Sequence, residues 1–193
     1  MPSFENVCEK VFAEKDFLKK FLIGGALSMV PVLSLVYFVE VARQLRFQKK
    51  LVLPDWENYF DYWKNGYKGV IVFIVYFGVP WILGWLLSEI IKFLTFGGLG
   101  FIHYFPLLVF LTFAPAFCAC GLYLLVRDAK WTHIFDVKTI FIRICHLKSK
   151  LIFPTLIFWG AMFLGVPLYG FVFFLGFLIY MLYTHFLLIL NEH

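Results

Sequence analysis

Charge is what this chain has least of. Only 15% of its 193 residues are Asp, Glu, Lys or Arg, against about 25% in an ordinary soluble domain. That scarcity excludes an aqueous globule, because a chain of this length needs polar groups over a large surface and does not carry them. Catalytic motifs are missing as well. The sequence has no His-Glu-x-x-His, no Gly-x-Ser-x-Gly and no phosphate-binding glycine loop. No nucleophile, base and orienting group recur in the pattern that catalysis requires, so the chain reads as no enzyme, with neither cofactor nor metal expected. Its four cysteines, Cys8, Cys118, Cys120 and Cys145, make no disulfide framework. Cys118 and Cys120 stand two apart on one apolar helix and point different ways, which suits neither a disulfide nor a zinc site, and they read as small packing residues.

What the chain does have is apolar bulk. Hydrophobic residues make up 62%, with 26 Phe, 10 Tyr and 6 Trp, a composition suited to lipid-facing walls and interfacial belts. The fold class expected is an all-α membrane protein. The net charge of +5 is concentrated in two loops, 43–68 and 127–150. By the positive-inside rule both should be cytoplasmic, with Arg43, Arg46, Lys49, Lys50, Arg127, Lys130, Arg143, Lys148 and Lys150 as contacts for anionic headgroups. Nucleic acid is a poor partner, since these residues flank apolar spans and form no soluble patch.

Residues 1–20 form an amphipathic pattern, with Phe4, Val7, Cys8, Val11, Phe12 and Leu18 at helical spacing, Ser3 as N-cap and no cleavage pattern, which predicts a helix on the membrane surface. The run 21–42 is long enough to cross once, but Gly24-Gly25 and Pro31 interrupt it. A single span is the favoured reading, because non-helical backbone at membrane depth needs protein cover, and a helix-break-helix hairpin that dips in and returns is the alternative; the two place the N-terminus on opposite sides. Leu53-Pro54-Asp55-Trp56 reads as a helix start. It is followed by an interfacial face of Trp56, Tyr59, Phe60, Trp63 and Tyr67. Spans are then expected at 69–87 and 101–126, with Pro106 and Pro115 kinking the latter. A further surface helix is expected in the second basic loop, capped by Asp136, with Trp131 and Phe135 at the interface. From Leu151 to Leu190 run about 40 apolar residues, about 60 Å as one helix and twice the hydrocarbon thickness. The break at Gly165-Val166-Pro167 divides them into spans at 151–165 and 168–190. The expectation is therefore one membrane domain of about five transmembrane helices, with an N-terminal and two inter-span amphipathic helices.

A weak parallel repeat runs beneath this layout. Pro31 precedes Arg43 and Pro115 precedes Arg127 by the same distance, and Gly-Val-Pro recurs at Gly78 and Gly165. The run Lys20-Phe21-Leu22-Ile23-Gly24-Gly25-Ala26-Leu27 leads to Pro31, Tyr37, Arg43, Leu53-Pro54-Asp55-Trp56 and Asn65-Gly66. Together with Ala114-Pro115-Ala116 and Phe135-Asp136-Val137, it resembles a prokaryotic membrane family catalogued only as domain of unknown function 4013. The chain departs from that pattern at Val36-Tyr37, where Gly-Tyr is expected. The resemblance implies a multi-pass protein of a prokaryotic plasma membrane and supplies no activity.

Intramembrane polar residues are costly and therefore the default functional suspects. Glu40 lies one turn before Arg43 and predicts a local pair. His103 and His185 lie at different depths, which favours interhelical hydrogen bonds over a shared haem, and Ser28, Ser34 and the Ala161/Gly165 spacing read as helix-packing positions. Two functional classes remain. One is a non-catalytic subunit or scaffold of a membrane protein complex, touching other membrane proteins or copies of itself. The other is a small transporter or lipid-handling protein. The shortage of intramembrane charge favours the first.

Overall fold

The structure, a computed structural model, describes residues 3–48, 51–128 and 135–192. Eight α-helices follow one another: α1 Phe4–Phe12, α2 Phe17–Leu27, α3 Pro31–Gln48, α4 Tyr59–Phe73, α5 Val79–Leu94, α6 Phe105–Asp128, α7 Val137–Leu164 and α8 Tyr169–Leu190. The expected caps are present: the side chains of Ser3 and Asp136 accept from the backbone N–H of Asn6 and Thr139. These interactions satisfy first-turn donors that a helix leaves without partners.

Four stretches are long and apolar enough to cross a bilayer: Gly66–Leu94, Gly100–Asp128, Val137–Leu164 and Val166–Leu190. The chain is a multi-pass, all-α membrane protein. The two inter-span amphipathic helices are not separate elements, which corrects the expectation. After a 3-10 turn at Trp56–Asn58, α4 runs through a π-helical turn at Ile74–Gly78 directly into α5, and α7 carries residues 137–150 straight into the third of these stretches. Their polar starts continue into apolar rods although Pro80 and Pro154 each remove one backbone donor from the ladder. Pro80 does so immediately after the π-helical turn.

The segment 21–42, expected as the first of five spans, is two helices instead of one and is not among the four long apolar stretches. Pro31 cannot donate the hydrogen bond that would continue α2, so Ser28 to Val30 form a turn and α3 starts afresh. Measured along α8, the chain starts with Phe4 against Tyr183, reaches Gly25 and Met29 beside Gly170, and returns to bring Arg46 onto Glu192. This is the out-and-back alternative. Gly25 and Gly170 permit the approach: a Cβ on Gly170 would lie 2.5 Å from the Gly25 carbonyl oxygen.

Helix α8 is the axis of the bundle, packing against α1, α2, α3, α6 and α7. Its Phe173, Phe174 and Phe177 interlock with Phe38 from α3 and Phe158 from α7. Such aromatic edges and faces contribute about 0.5–1.5 kcal/mol per pair beyond burial. The apolar side of α1 is covered by protein, with Val7 and Val11 fully buried. The landmarks of the repeat occupy unlike places. Pro31 opens α3 whereas Pro115 lies inside α6, and Gly78 sits in a continuous helix whereas Gly165 ends one.

Candidate functional site

The C-terminal ends of α3, α6 and α8 meet at one end of the bundle, beside the first turns of α7. Helix C-termini carry partial negative charge from unpaired carbonyls and attract cations. Arg46 on α3 donates through Nη1 to Tyr123 Oη at 2.8 Å and to Glu192 Oε2 at 3.0 Å. Arg127 on α6 reaches the other carboxylate oxygen of Glu192 at 3.6 Å and forms a forked pair with Asp128 at 2.5 and 2.6 Å. Arg143 on α7 holds its guanidinium over the Tyr123 ring at 5.8 Å, and Arg46 approaches the same ring at 5.3 Å. Burial alone would raise the Glu192 carboxyl. Hydrogen bonds from Tyr123 and Arg46 and the charges of Arg46 and Arg127 outweigh it and hold Glu192 below the usual carboxylate range.

These side chains border a cleft of about 720 Å³ lined by Arg127, Arg143, His146, Leu147, Lys150, Leu188, Asn191 and Glu192. Below it, the buried His185 Nε2 donates to the Ala119 carbonyl at 2.9 Å and the ring packs edge-on against Tyr123. His185 thus ties α8 to α6. His103 bonds instead to the Gly100 carbonyl in the turn before α6, so the two histidines have separate partners.

A second polar cluster lies where residues 51–55 return across the bundle. Lys20, almost wholly buried, donates to the Leu53 carbonyl and pairs with Asp55 at 3.2 Å and Glu14 at 3.7 Å. Glu14 accepts from Leu53 N–H, Trp56 Nε1 donates to the Lys20 carbonyl, and Tyr37 Oη donates to the Pro54 carbonyl. Leu53-Pro54-Asp55 is therefore an extended strap that leads into the expected helix start, with Asp55 at the N-cap position of the 3-10 turn that opens at Trp56. Burial, tightness and mutual pairing make this a clasp that holds α2, α3 and the strap together.

The residues expected at the headgroups divide accordingly. Trp56 stacks on Tyr37 at 4.2 Å, and Tyr59 donates to the Leu33 carbonyl at 2.8 Å, so both are engaged within the bundle. Phe60 is exposed, Trp63 half-buried and Phe135 exposed. Of the expected lipid-contacting cations, Arg46, Arg127, Arg143 and Lys150 converge on the cleft. Arg43 pairs with Glu40 at 3.6 Å as its spacing predicts. Lys148 lies beside Thr112 and Ala116 between α6 and α7. Lys49, Lys50, Lys130 and Trp131 lie outside the described residues. Sequence reasoning passed over Tyr123, His146, Asn191 and Glu192. Only Tyr123, one turn before Arg127, carried a spacing signal.

No family model, curated protein or solved structure matches the chain.

Proposed function

We propose that this protein is a non-catalytic subunit or scaffold of a membrane protein complex. One observation carries the reading: four Ser and Thr hydroxyls inside the spans each donate to a carbonyl of their own helix. Ser88 donates to the Gly84 carbonyl, Thr112 to Leu108, Thr155 to Leu151 and Thr184 to Tyr180. Groups satisfied this way are not arrayed toward a polar solute, whereas a transport path needs polar groups facing one another across a cavity. The apolar surface points the same way. The spans Gly66–Leu94 and Val137–Leu164 are mostly exposed around the bundle, whereas the other two are mostly buried within it. That leaves two outer helices to meet lipid or other membrane proteins.

The setting that fits is a prokaryotic plasma membrane, with the arginine-rich end on the cytoplasmic side, as the positive-inside rule and the resemblance to the domain-4013 family imply. Purification in gentle detergent at native expression, with co-migrating proteins and lipids identified by mass spectrometry, tests the reading. A stoichiometric membrane-protein partner supports it. A homo-oligomer with no other protein sinks it in favour of lipid handling. One observation favours that second reading, an apolar groove of about 400 Å³ between α5 and α6. It is lined by Tyr76, Pro80, Leu83, Phe110, Phe113 and Phe117 and flanks the π-helical turn.

A further inference from the structure

We propose that the cleft between the ends of α6, α7 and α8 is a phosphate site for the headgroup of an anionic phospholipid, with Arg143 and Lys150 as its donors. The inference rests on the membrane setting given above but not on a partner protein. Three features of the cleft carry it.

The first is how its cations are engaged. Arg46 and Arg127 are matched by two carboxylates, Glu192 between them and Asp128 on Arg127. Arg143 is held differently: its guanidinium rests over the Tyr123 ring instead of against a carboxylate. A guanidinium in that position keeps N–H groups for a further acceptor, and its planar fork matches two phosphate oxygens. Lys150 and His146 stand on the same wall, supplied by the same helix at helical spacing.

The second feature is size and lining. At about 720 Å³ the cleft lies in the range of small-molecule pockets, about 300–1,000 Å³, and is far larger than a bare phosphate ion needs. Leu147 and Leu188 line it beside the cations, so polar and apolar walls meet in one cavity. A glycerophospholipid headgroup with the start of its chains presents those two chemistries in that order.

The third feature is position. The lining from α8 lies at the last residues of Val166–Leu190 and just beyond them, and that from α7 in the charged first half of Val137–Leu164, before its uncharged second half. Phosphates of a bilayer lie where a span meets its charged end, and cations there attract an anionic leaflet.

The test uses the whole protein in neutral detergent with phosphatidylglycerol and phosphatidylcholine in equal amounts, the bound lipid being counted by native mass spectrometry. The wild type should retain one phosphatidylglycerol in preference to phosphatidylcholine. Arg143→Gln and Lys150→Gln should each weaken that retention about tenfold, the effect of losing one charge-assisted contact. Arg143→Lys should lose less than Arg143→Gln. Lys64→Gln removes the same charge from an exposed site paired with Asp61 and should change nothing. Equal retention of the two lipids by the wild type would overturn the proposal, as would an equal loss in Lys64→Gln. Inorganic phosphate at the lipid's own concentration should leave the lipid bound, and displacement would reassign the cleft to a soluble phosphate. Loss of lipid selectivity with a partner still co-migrating would separate failure of this site from failure of the subunit reading.

Discussion

Gly170 and Gly160 lie on helices that pack together, and the same substitution should act on them in opposite directions. A methyl group on Gly170 would stand 2.5 Å from the Gly25 carbonyl oxygen and 2.8 Å from Met29 N, both backbone atoms that cannot rotate away. Gly170→Ala should therefore force α2 from α8 and destabilise by about 1–3 kcal/mol or more, the usual range for overpacking. Around Gly160 nothing lies within 4 Å of the added carbon. Gly160→Ala should be neutral or should stabilise by about 0.5–1 kcal/mol through helix propensity. Thermal melts in one detergent decide both; a stable Gly170→Ala would mean that the α2–α8 contact is looser than described. Glu192 gives a pH signature at the same scale. Its carboxyl is held below the ordinary value of 4.5, so its contribution is fully present at neutral pH and is lost as the pH falls through and below that value. Glu192→Gln should melt below the wild type at pH 7, and the gap should close in acid. A gap that persists there would show that the carboxylate charge is not what Arg46 and Arg127 hold.

Among the elements, the strap at residues 51–55 depends on one side chain from another helix. Lys20→Met removes the ammonium from Leu53, Asp55 and Glu14 together and leaves the buried Leu53 carbonyl without its partner. An orphaned buried acceptor costs about 1–3 kcal/mol. Asp55 is largely exposed, so adding Asp55→Asn to Lys20→Met should cost little more, and full additivity of the two melts would contradict a shared clasp. This strap also marks how far the sequence could be read. The spans were legible because apolar runs are long and their ends are punctuated by Gly165, by Arg127-Asp128 and by the glycine turn at 97–100, where Gly97 and Gly100 adopt positive φ. The strap was not, because Pro54 and Asp55 announce the helix that starts at Trp56 but not where residues 51–55 run, which their tertiary partners from residues 14–37 decide. The continuity of α4 with α5, and of the polar start of α7 with its apolar end, escaped notice for a related reason. A helix that leaves the membrane keeps its backbone pattern while its side-chain composition changes, so composition alone places a boundary where the chain has none. The cleft was half legible: its arginines stand out in the sequence, but Glu192 and Asn191 join them only because α8 ends beside α3 and α6.

For the whole molecule, orientation is the quantity that sequence and fold approach from different sides. The convergence of Arg46, Arg127 and Arg143 at one end of the bundle is geometric, and the assignment of that end to the cytoplasm follows from the charge rule. Cys145 offers a direct reading. It is exposed on α7 between Arg143 and His146, whereas Cys118 and Cys120 are buried in α6. In a Cys8→Ala background, a membrane-impermeant maleimide should label Cys145 in inverted vesicles and leave intact cells unlabelled. Labelling of intact cells instead would turn the molecule over.

The seating of α1 and α2 on α8 also sets an order of events during synthesis. Phe4 rests on Tyr183 and Gly25 on Gly170, so α1 and α2 leave the ribosome before the helix that seats them. At about 5–20 residues per second, that interval is roughly ten to forty seconds. During that time an aromatic, amphipathic segment waits in the interface without α8 to cover it. The nascent chain therefore has a window in which a chaperone, an insertase subunit or a neighbouring membrane protein can reach that surface. The window closes when α8 arrives, and a chain truncated before α8 would hold it open.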